Sequence, residues 1–267
     1  MMLSDEELTR YARQIVLPHL GGTGQQRLKA AKVAVVGAGG IGAAVIPALA
    51  GAGVGRLTII DPDRADLSNL HRQPIYRSRD AGEPKAALAA QFVRRLNPFV
   101  EVAGVEQAIV PDNAAAILSG HDLVIDGTDN FATRLAVSDA CVASGLPLLS
   151  AAAAQWQGQV GLFTGRPCYR CFVGDAFDAD DCDNCAELGV TGTLTGLAGN
   201  LAALLALRLL AQAGEVKTGT VHLIDGLAGT QRPIRIVADP GCRACGTTSS
   251  QPPSSAPPSF SPAPSYP

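Results

Sequence analysis

The run Gly37-Ala38-Gly39-Gly40-Ile41-Gly42 has the spacing G-x-G-x-x-G. Glycines so placed allow a tight turn and let backbone N–H groups approach a phosphate, and the helix that follows adds its partial positive charge. Asp61, nineteen residues past Gly42, stands where an acid holds a ribose hydroxyl. It opens the polar loop Asp61 to Gln73, which adds Asp63, Asn69, Arg72 and Gln73. Arg72 offers a planar fork for phosphate oxygens, and Asn69 suits phosphate or ribose. Lys85, beside Pro84 at helix position N1, opposes the dipole's preference for acids unless an anion lies nearby. Further on, Asp126-Gly127-Thr128-Asp129-Asn130 ends a buried strand. Ligands of open α/β sheets sit beyond such strand tips. A carboxylate there suits Mg2+, which is held by one or two carboxylates plus phosphate oxygens. Asn130 fits either that ligand set or a helix N-cap. The chemistry these residues share is the binding of a nucleotide. His19, His71, His121 and His222 show no triad-like or metal-like spacing and are assigned no chemistry.

A second group is sulfur. Cys168-Tyr169-Arg170-Cys171 and Cys242-Arg243-Ala244-Cys245 are two C-x-x-C pairs with seventy residues between them. Four thiolates meeting in a tetrahedron form a closed structural zinc site, and neither pair follows the βαβ context of a redox motif. Such a site would staple the C-terminal segment to the body. Cys185, between a run of aspartates and a Gly/Thr-rich stretch, fits a reactive thiol and an ordinary loop thiol equally; Cys141 reads as core. Arg10 and Arg13 share a helix face and fit either two solvated cations or a phosphate-directed pair.

Strands and helices must bring these groups together. Apolar runs predict strands at Lys32–Val36, Leu57–Ile60, His121–Asp126, Leu146–Ser150, Gln157–Phe163, Val221–Asp225 and Pro233–Val237. Ser4 and Glu7 form a capping box opening a helix to about Gln14. Helices follow Gly42, run from Pro84 to about Leu96 before Asn97-Pro98, and end near Ser144. The apolar helix 197–213 carries Asn200, Arg208 and Gln212, which suits a core helix better than a membrane span. Alternating strands and helices predict an α/β fold: a Rossmann-like, doubly wound, mostly parallel sheet with a C-terminal β-rich, zinc-stapled part. Four segments are expected: a helical arm over 1–30, a nucleotide-binding part over 31–155, a part of the same domain over 156–246 that holds the zinc cysteines, and a Pro/Ser tail over 247–267 too poor in apolar residues to fold. The chain has 267 residues, 47% hydrophobic, with a net charge of −3. That balance argues against a nucleic-acid binder. No basic start precedes an apolar h-region, and the odd cysteine count argues against a disulfide scaffold, so a cytoplasmic setting is expected.

With these residues in view, the chain resembles the ThiF/MoeB/HesA family of ubiquitin-activating-like adenylyltransferases from about Ser4 to Gly246. The resemblance rests on RYARQIVLP, GAGGIG, DPDRADLSNLHRQ, GEPKA, DGTDN, the two C-x-x-C pairs and CAELGV, in that family's order. It implies adenylation by ATP of the terminal Gly-Gly carboxylate of a small β-grasp sulfur carrier, MoaD- or ThiS-like, for molybdopterin or thiamine biosynthesis. By that similarity Gly39 and the turn approach the phosphates, Asp61 holds ribose, Asn69, Arg72 and Lys85 contact phosphates, and Asp129 carries Mg2+. It also implies a homodimer in which Arg13 reaches the neighbouring site, zinc on Cys168, Cys171, Cys242 and Cys245, and Cys185 as a thiol that some members use after adenylation. The glycine fingerprint alone also fits an NAD(P)-dependent oxidoreductase, against which the polar loop and Lys85 count. A non-catalytic carrier-binding scaffold is the third alternative.

Overall fold

The computed structural model describes residues 2–174 and 189–246. Cys182, Cys185, the aspartate run and the Pro/Ser tail lie outside the described residues. In chain order the elements are α1 (Asp5–Ile15), α2 (Gly21–Ala30), β1 (Lys32–Val36), α3 (Gly42–Ala52), β2 (Arg56–Ile60), α4 (Lys85–Leu96), β3 (Glu101–Val105) and α5 (Pro111–Leu118). They continue as β4 (Leu123–Asp126), α6 (Phe131–Ser144), β5 (Leu148–Ala154), β6 (Gln157–Phe163), α7 (Tyr169–Val173), α8 (Gly192–Ala211), β7 (Thr220–Asp225) and β8 (Thr230–Arg235).

The eight strands make one sheet in the order β3-β2-β1-β4-β5-β6-β7-β8. The first five run parallel; β6, β7 and β8 are added antiparallel. The expected mostly parallel, doubly wound fold with a β-rich C-terminal part is therefore observed. Alternate side chains of each parallel strand feed two cores. Val33 and Val35 join α2, α3, α4 and α8 on one face. Ala34 and Val36 join α5, α6 and Tyr169 on the other. Helix α8 is apolar and long enough to cross a membrane, but half of it is buried, packed on α2, α3, β5 and β6. That is the core role its polar interruptions indicate.

The strand order reverses between β1 and β4, the switch point at which open α/β sheets bind ligands. The Gly127 N–H donates to the Val36 carbonyl (2.9 Å), so the two strand tips and their loops abut there.

Several boundaries differ from the sequence expectation. Pro84 is the N-cap of α4 and Lys85 its first residue, which puts Lys85 at the N-terminus itself. Strand β8 begins three residues before Pro233; Pro233 is tolerated because this is an edge strand whose partner lies on one side only. Strand β5 extends four residues beyond Ser150 through four alanines, paired along its length with β6. Helix α2 was not anticipated: GGTGQQRLKA contains three glycines and has poor intrinsic propensity. Tertiary packing fixes it, with Leu28 fully buried and the Gln25 amide donating to the Ala52 carbonyl (2.9 Å).

Candidate active site

Beyond the tips of β1, β2 and β4 lies a cleft of about 1310 Å3 that continues over β5, β6 and β7 as far as Arg232. Its floor is the glycine turn. Gly37 has φ +89°, a conformation L side chains rarely adopt, and a Cβ there would also crowd the Gly127 backbone at 3.1 Å. A Cβ on Gly42 would sit 2.1 Å from the Gly37 carbonyl oxygen, so this glycine lets α3 start directly under the turn. A Cβ on Gly39 would meet only the Gln73 amide nitrogen at 3.7 Å, so its open side faces the cleft. Gly40 also lines the cleft, backed by Thr195 of α8. Gly42→Ala is expected to lower the thermal midpoint by about 2–12 °C, the consequence of the roughly 1–3 kcal/mol typical of overpacking. Differential scanning calorimetry reads it, and an unchanged midpoint contradicts this packing.

Asp61 ends β2, is 5% exposed, and accepts hydrogen bonds from the N–H groups of Ala38 (2.7 Å) and Asp63 (2.8 Å). Burial raises its carboxyl above the usual range, and the Ala38 N–H and Lys85 offset that in part. The acid therefore braces the glycine turn as well as lining the cleft. Lys85 is 5% exposed, and its Nζ donates to Asp63 (2.9 Å), whose side chain is largely exposed. A buried ammonium with one surface carboxylate as partner is well placed for a second anion. Asn69 and Arg72 are bonded to each other through the guanidinium, and Arg72 also meets His71 at 2.9 Å. A short 3-10 helix, Leu67–Asn69, capped by Asp66, sets their positions. Gln73 is buried, and its Oε1 has no hydrogen-bond partner among the described residues. A buried orphan acceptor facing a cleft calls for a ligand donor.

On the opposite wall, Asp129 and Asn130 are exposed in the cleft at the tip of β4. The Asn130 side chain accepts from the Thr133 N–H (2.8 Å) and so caps α6 while lining the cavity. Asp126 is buried, and its Oδ1 accepts from the N–H (3.0 Å) and hydroxyl (2.7 Å) of Thr128. The sequence-predicted nucleotide-binding residues thus meet in one cleft except Gly42, which lies beneath it, and Asp126, which is buried; Arg13 lies away from it, and Cys185 is outside the described residues.

Arg13 sits on α1, which packs at the far end of α3: Tyr11 of α1 lies against Gly53, the C-cap of α3, and its hydroxyl accepts from Asn97 (2.8 Å). Arg10 is structural, donating to the Leu96 carbonyl (3.2 Å) and lying over the Phe99 ring. The sulfur atoms of Cys168, Cys171, Cys242 and Cys245 all lie within 4.8 Å of one another. Cys141 is core, its thiol pushed up to about 12 by burial. Sequence reasoning missed Arg134, Ser150 and Tyr169, which form a buried polar group behind Asp129. One signal was present: Arg134 is a cation in the first turn of a helix, the same anomaly that marked Lys85.

Residues 11–244 match the sequence model of the ThiF family. The chain belongs to that family. ThiF-family relatives cover nearly its whole length. A sulfur carrier protein adenylyltransferase of Thermus thermophilus is 42% identical over 94% of this chain and 95% of its own. A molybdopterin-synthase adenylyltransferase of Salmonella typhimurium is 39% identical over 91% and 98%. A SAMP-activating enzyme E1 of Haloferax volcanii is 39% identical over 92% of each. The solved structure of Escherichia coli MccB shares the fold, with a TM-score of 0.79 at 21% identity over 92% of this chain and 76% of that one.

Proposed function

We propose that this chain is an adenylyltransferase that uses ATP to activate the C-terminal Gly-Gly carboxylate of a small ubiquitin-like sulfur-carrier protein. The observation that carries this reading is the single cleft. Its parallel half gathers the glycine turn, Asp61, Arg72 and Lys85, and its antiparallel half continues past Ala152 and Gly158 to Arg232. About 1310 Å3 exceeds the roughly 300–1,000 Å3 of ordinary small-ligand pockets, leaving space for an extended peptide beside the nucleotide. Relatives whose names record this activity support it.

The carboxylate is ionised at neutral pH, so it attacks the α-phosphorus of ATP without a general base. The P–O bond to the bridging oxygen breaks and pyrophosphate leaves, giving the carrier acyl-adenylate. Catalysis is then positioning and charge neutralisation. Asp61 holds the ribose, Asn69 and Arg72 the phosphates, and Gln73 offers its orphan acceptor to the nucleotide. Lys85 turns from Asp63 towards phosphate oxygens. Asp129, with Asn130 beside it, presents hard oxygen donors in the cleft, the donor set Mg2+ takes; bound there, Mg2+ would neutralise phosphate charge. Arg13 acts on the site of a second copy, and the enzyme is a homodimer. Leu197 and Leu204, two turns apart and about half exposed on α8, supply an apolar face that a second copy would cover. Cys185 serves a sulfur-transfer step after adenylation, in a cytoplasmic setting.

Zinc fits the four cysteines. The Sγ separations of 4.0 Å (168–171), 3.6 Å (168–242) and 3.4 Å (171–245) bracket the edge of about 3.8 Å that a tetrahedron with 2.3 Å bonds requires. The Asp239 N–H donates to the Cys171 sulfur (3.4 Å), the kind of outer contact that orients a ligand. Cys242→Ser is expected to remove the bound zinc and lower the thermal midpoint by about 10 °C, the shift that roughly 3 kcal/mol produces in a domain of this size. Atomic absorption and calorimetry read the two effects, and full zinc content in the variant rejects the assignment.

The test of the function is ATP–pyrophosphate exchange with MoaD-like and ThiS-like carriers added one at a time. Exchange that requires a carrier supports the reading, and the preferred carrier names the pathway. ATP binding without exchange on any Gly-Gly carrier rejects catalysis in favour of a scaffold.

A further inference from the structure

Arg134 is the fourth residue of α6, where its charge opposes the helix dipole, and it is only 6% exposed. Burying a guanidinium there is costly unless its N–H groups are all put to use. Its Nη2 donates to the carbonyl of Thr128 and to that of Ala151 (3.1 Å), and its Nη1 reaches the Ser150 hydroxyl (3.4 Å). Tyr169 is buried beside the same guanidinium and Ser150, and Asp126 supplies the opposite charge.

Each partner belongs to a different part of the cleft. Thr128 immediately precedes Asp129, and its N–H and hydroxyl are tied on the other side to Asp126. Ser150 and Ala151 lead into the small-residue stretch of β5 that walls the antiparallel half. Tyr169 lies between the ligands Cys168 and Cys171, held edge-on by Phe163 (5.8 Å) and Phe172 (6.2 Å). We infer that Arg134 is a positioning residue: it clamps the turn carrying Asp129 against β5, and Tyr169 makes the cysteine cluster one anchor of that clamp. The inference rests on the adenylation reading, in which Asp129 receives Mg2+. A guanidinium is suited to this task because its rigid fork fixes two strands and a turn at one distance, which an ammonium on a flexible stem does not.

The experiment is calorimetric titration of the full chain with ATP at a series of Mg2+ concentrations, for wild type, Arg134→Gln, Arg134→Lys, Tyr169→Phe and Asp129→Ala. Arg134→Gln is expected to raise the Mg2+ needed for half-maximal gain in ATP affinity by about tenfold, the effect of losing a charge-assisted hydrogen bond. ATP affinity without Mg2+ is expected to change by less than the Mg2+ curve shifts, because Arg134, although it lines the cleft wall, directs its guanidinium to Thr128, Ala151 and Ser150. Arg134→Lys recovers part of the shift, a rescue that a role in bulk stability would not show. Tyr169→Phe keeps the ring contacts and shifts the same curve by about threefold; it decides the matter where Arg134→Gln fails to fold. Wild-type Mg2+ curves in both Tyr169→Phe and a folded Arg134 variant overturn the clamp while Asp129→Ala abolishes the Mg2+ dependence. Mg2+ dependence unchanged in Asp129→Ala as well overturns the metal assignment on which the clamp rests.

Discussion

Asp129→Ala is expected to lower carrier-dependent pyrophosphate exchange by about 10²–10³-fold, the cost of removing one preorganised electrostatic group, roughly 2.7–4 kcal/mol. The size follows from what the cleft lacks as well as what it holds. A carboxylate nucleophile needs no deprotonation at neutral pH, so the barrier is charge crowding at the triphosphate. In the proposed mechanism Lys85, Arg72 and a cation on Asp129 are the groups that relieve it. Asp129 is exposed, so its truncation costs the fold little, and the thermal midpoint should stay within about 1–2 °C of wild type. The cysteine cluster is built from other residues, so zinc content should be unchanged. A variant with near-normal exchange removes Asp129 from the metal site. A variant that has lost zinc as well attributes the defect to structure.

Residues made legible by local backbone rules were readable in the sequence. Gly37, Gly42 and Asp61 were legible because turn geometry, helix start and strand end are decided within thirty residues of chain, and the structure brings all three to the switch point. The capping box of Ser4 and Glu7 was legible for the same reason: both of its hydrogen bonds are local. The two C-x-x-C pairs were legible because thiolate spacing is a signature in its own right. What was not legible depends on distant contacts. Helix α2 is held by α1 and α8 against the poor propensity of its glycines. Strand β3, EVAGV, lacks an apolar alternation because it is a sheet edge, buried on neither end of its pattern. Arg134 was missed because Ser150 and Tyr169, which give it meaning, follow sixteen and thirty-five residues later. Arg10 and Arg13 show the same limit from the other side. They share an exposed helix face, yet Arg10 is tied to Leu96 and Phe99 of its own chain and Arg13 has no such contact among the described residues.

Arg13→Ala is expected to abolish exchange as strongly as Asp129→Ala when each variant is assayed alone, and activity is expected to return when the two are mixed and allowed to exchange subunits. For Arg13 to serve a site, that site has to belong to a second chain. Arg13 lies beside Tyr11, which packs on the C-cap of α3, whereas the phosphate-facing turn is at the N-terminus of α3. Eleven helical residues separate the two ends, about 16 Å at 1.5 Å per residue. Arg13 is exposed and does not line the cleft of its own chain. In a twofold dimer each mixed pair carries one site with intact Asp129 that receives an intact Arg13 from its partner, and one site lacking both. Random pairing of equal amounts therefore restores about a quarter of wild-type activity. An arginine acting within its own chain gives none, because every chain in the mixture then carries a lesion in its own site. Restoration near a quarter places Arg13 across the interface and makes the dimer a condition of catalysis. An Arg13→Ala protein that is fully active alone removes the residue from the site, and with it the strongest reason for the α1 arm to carry an exposed arginine at this point.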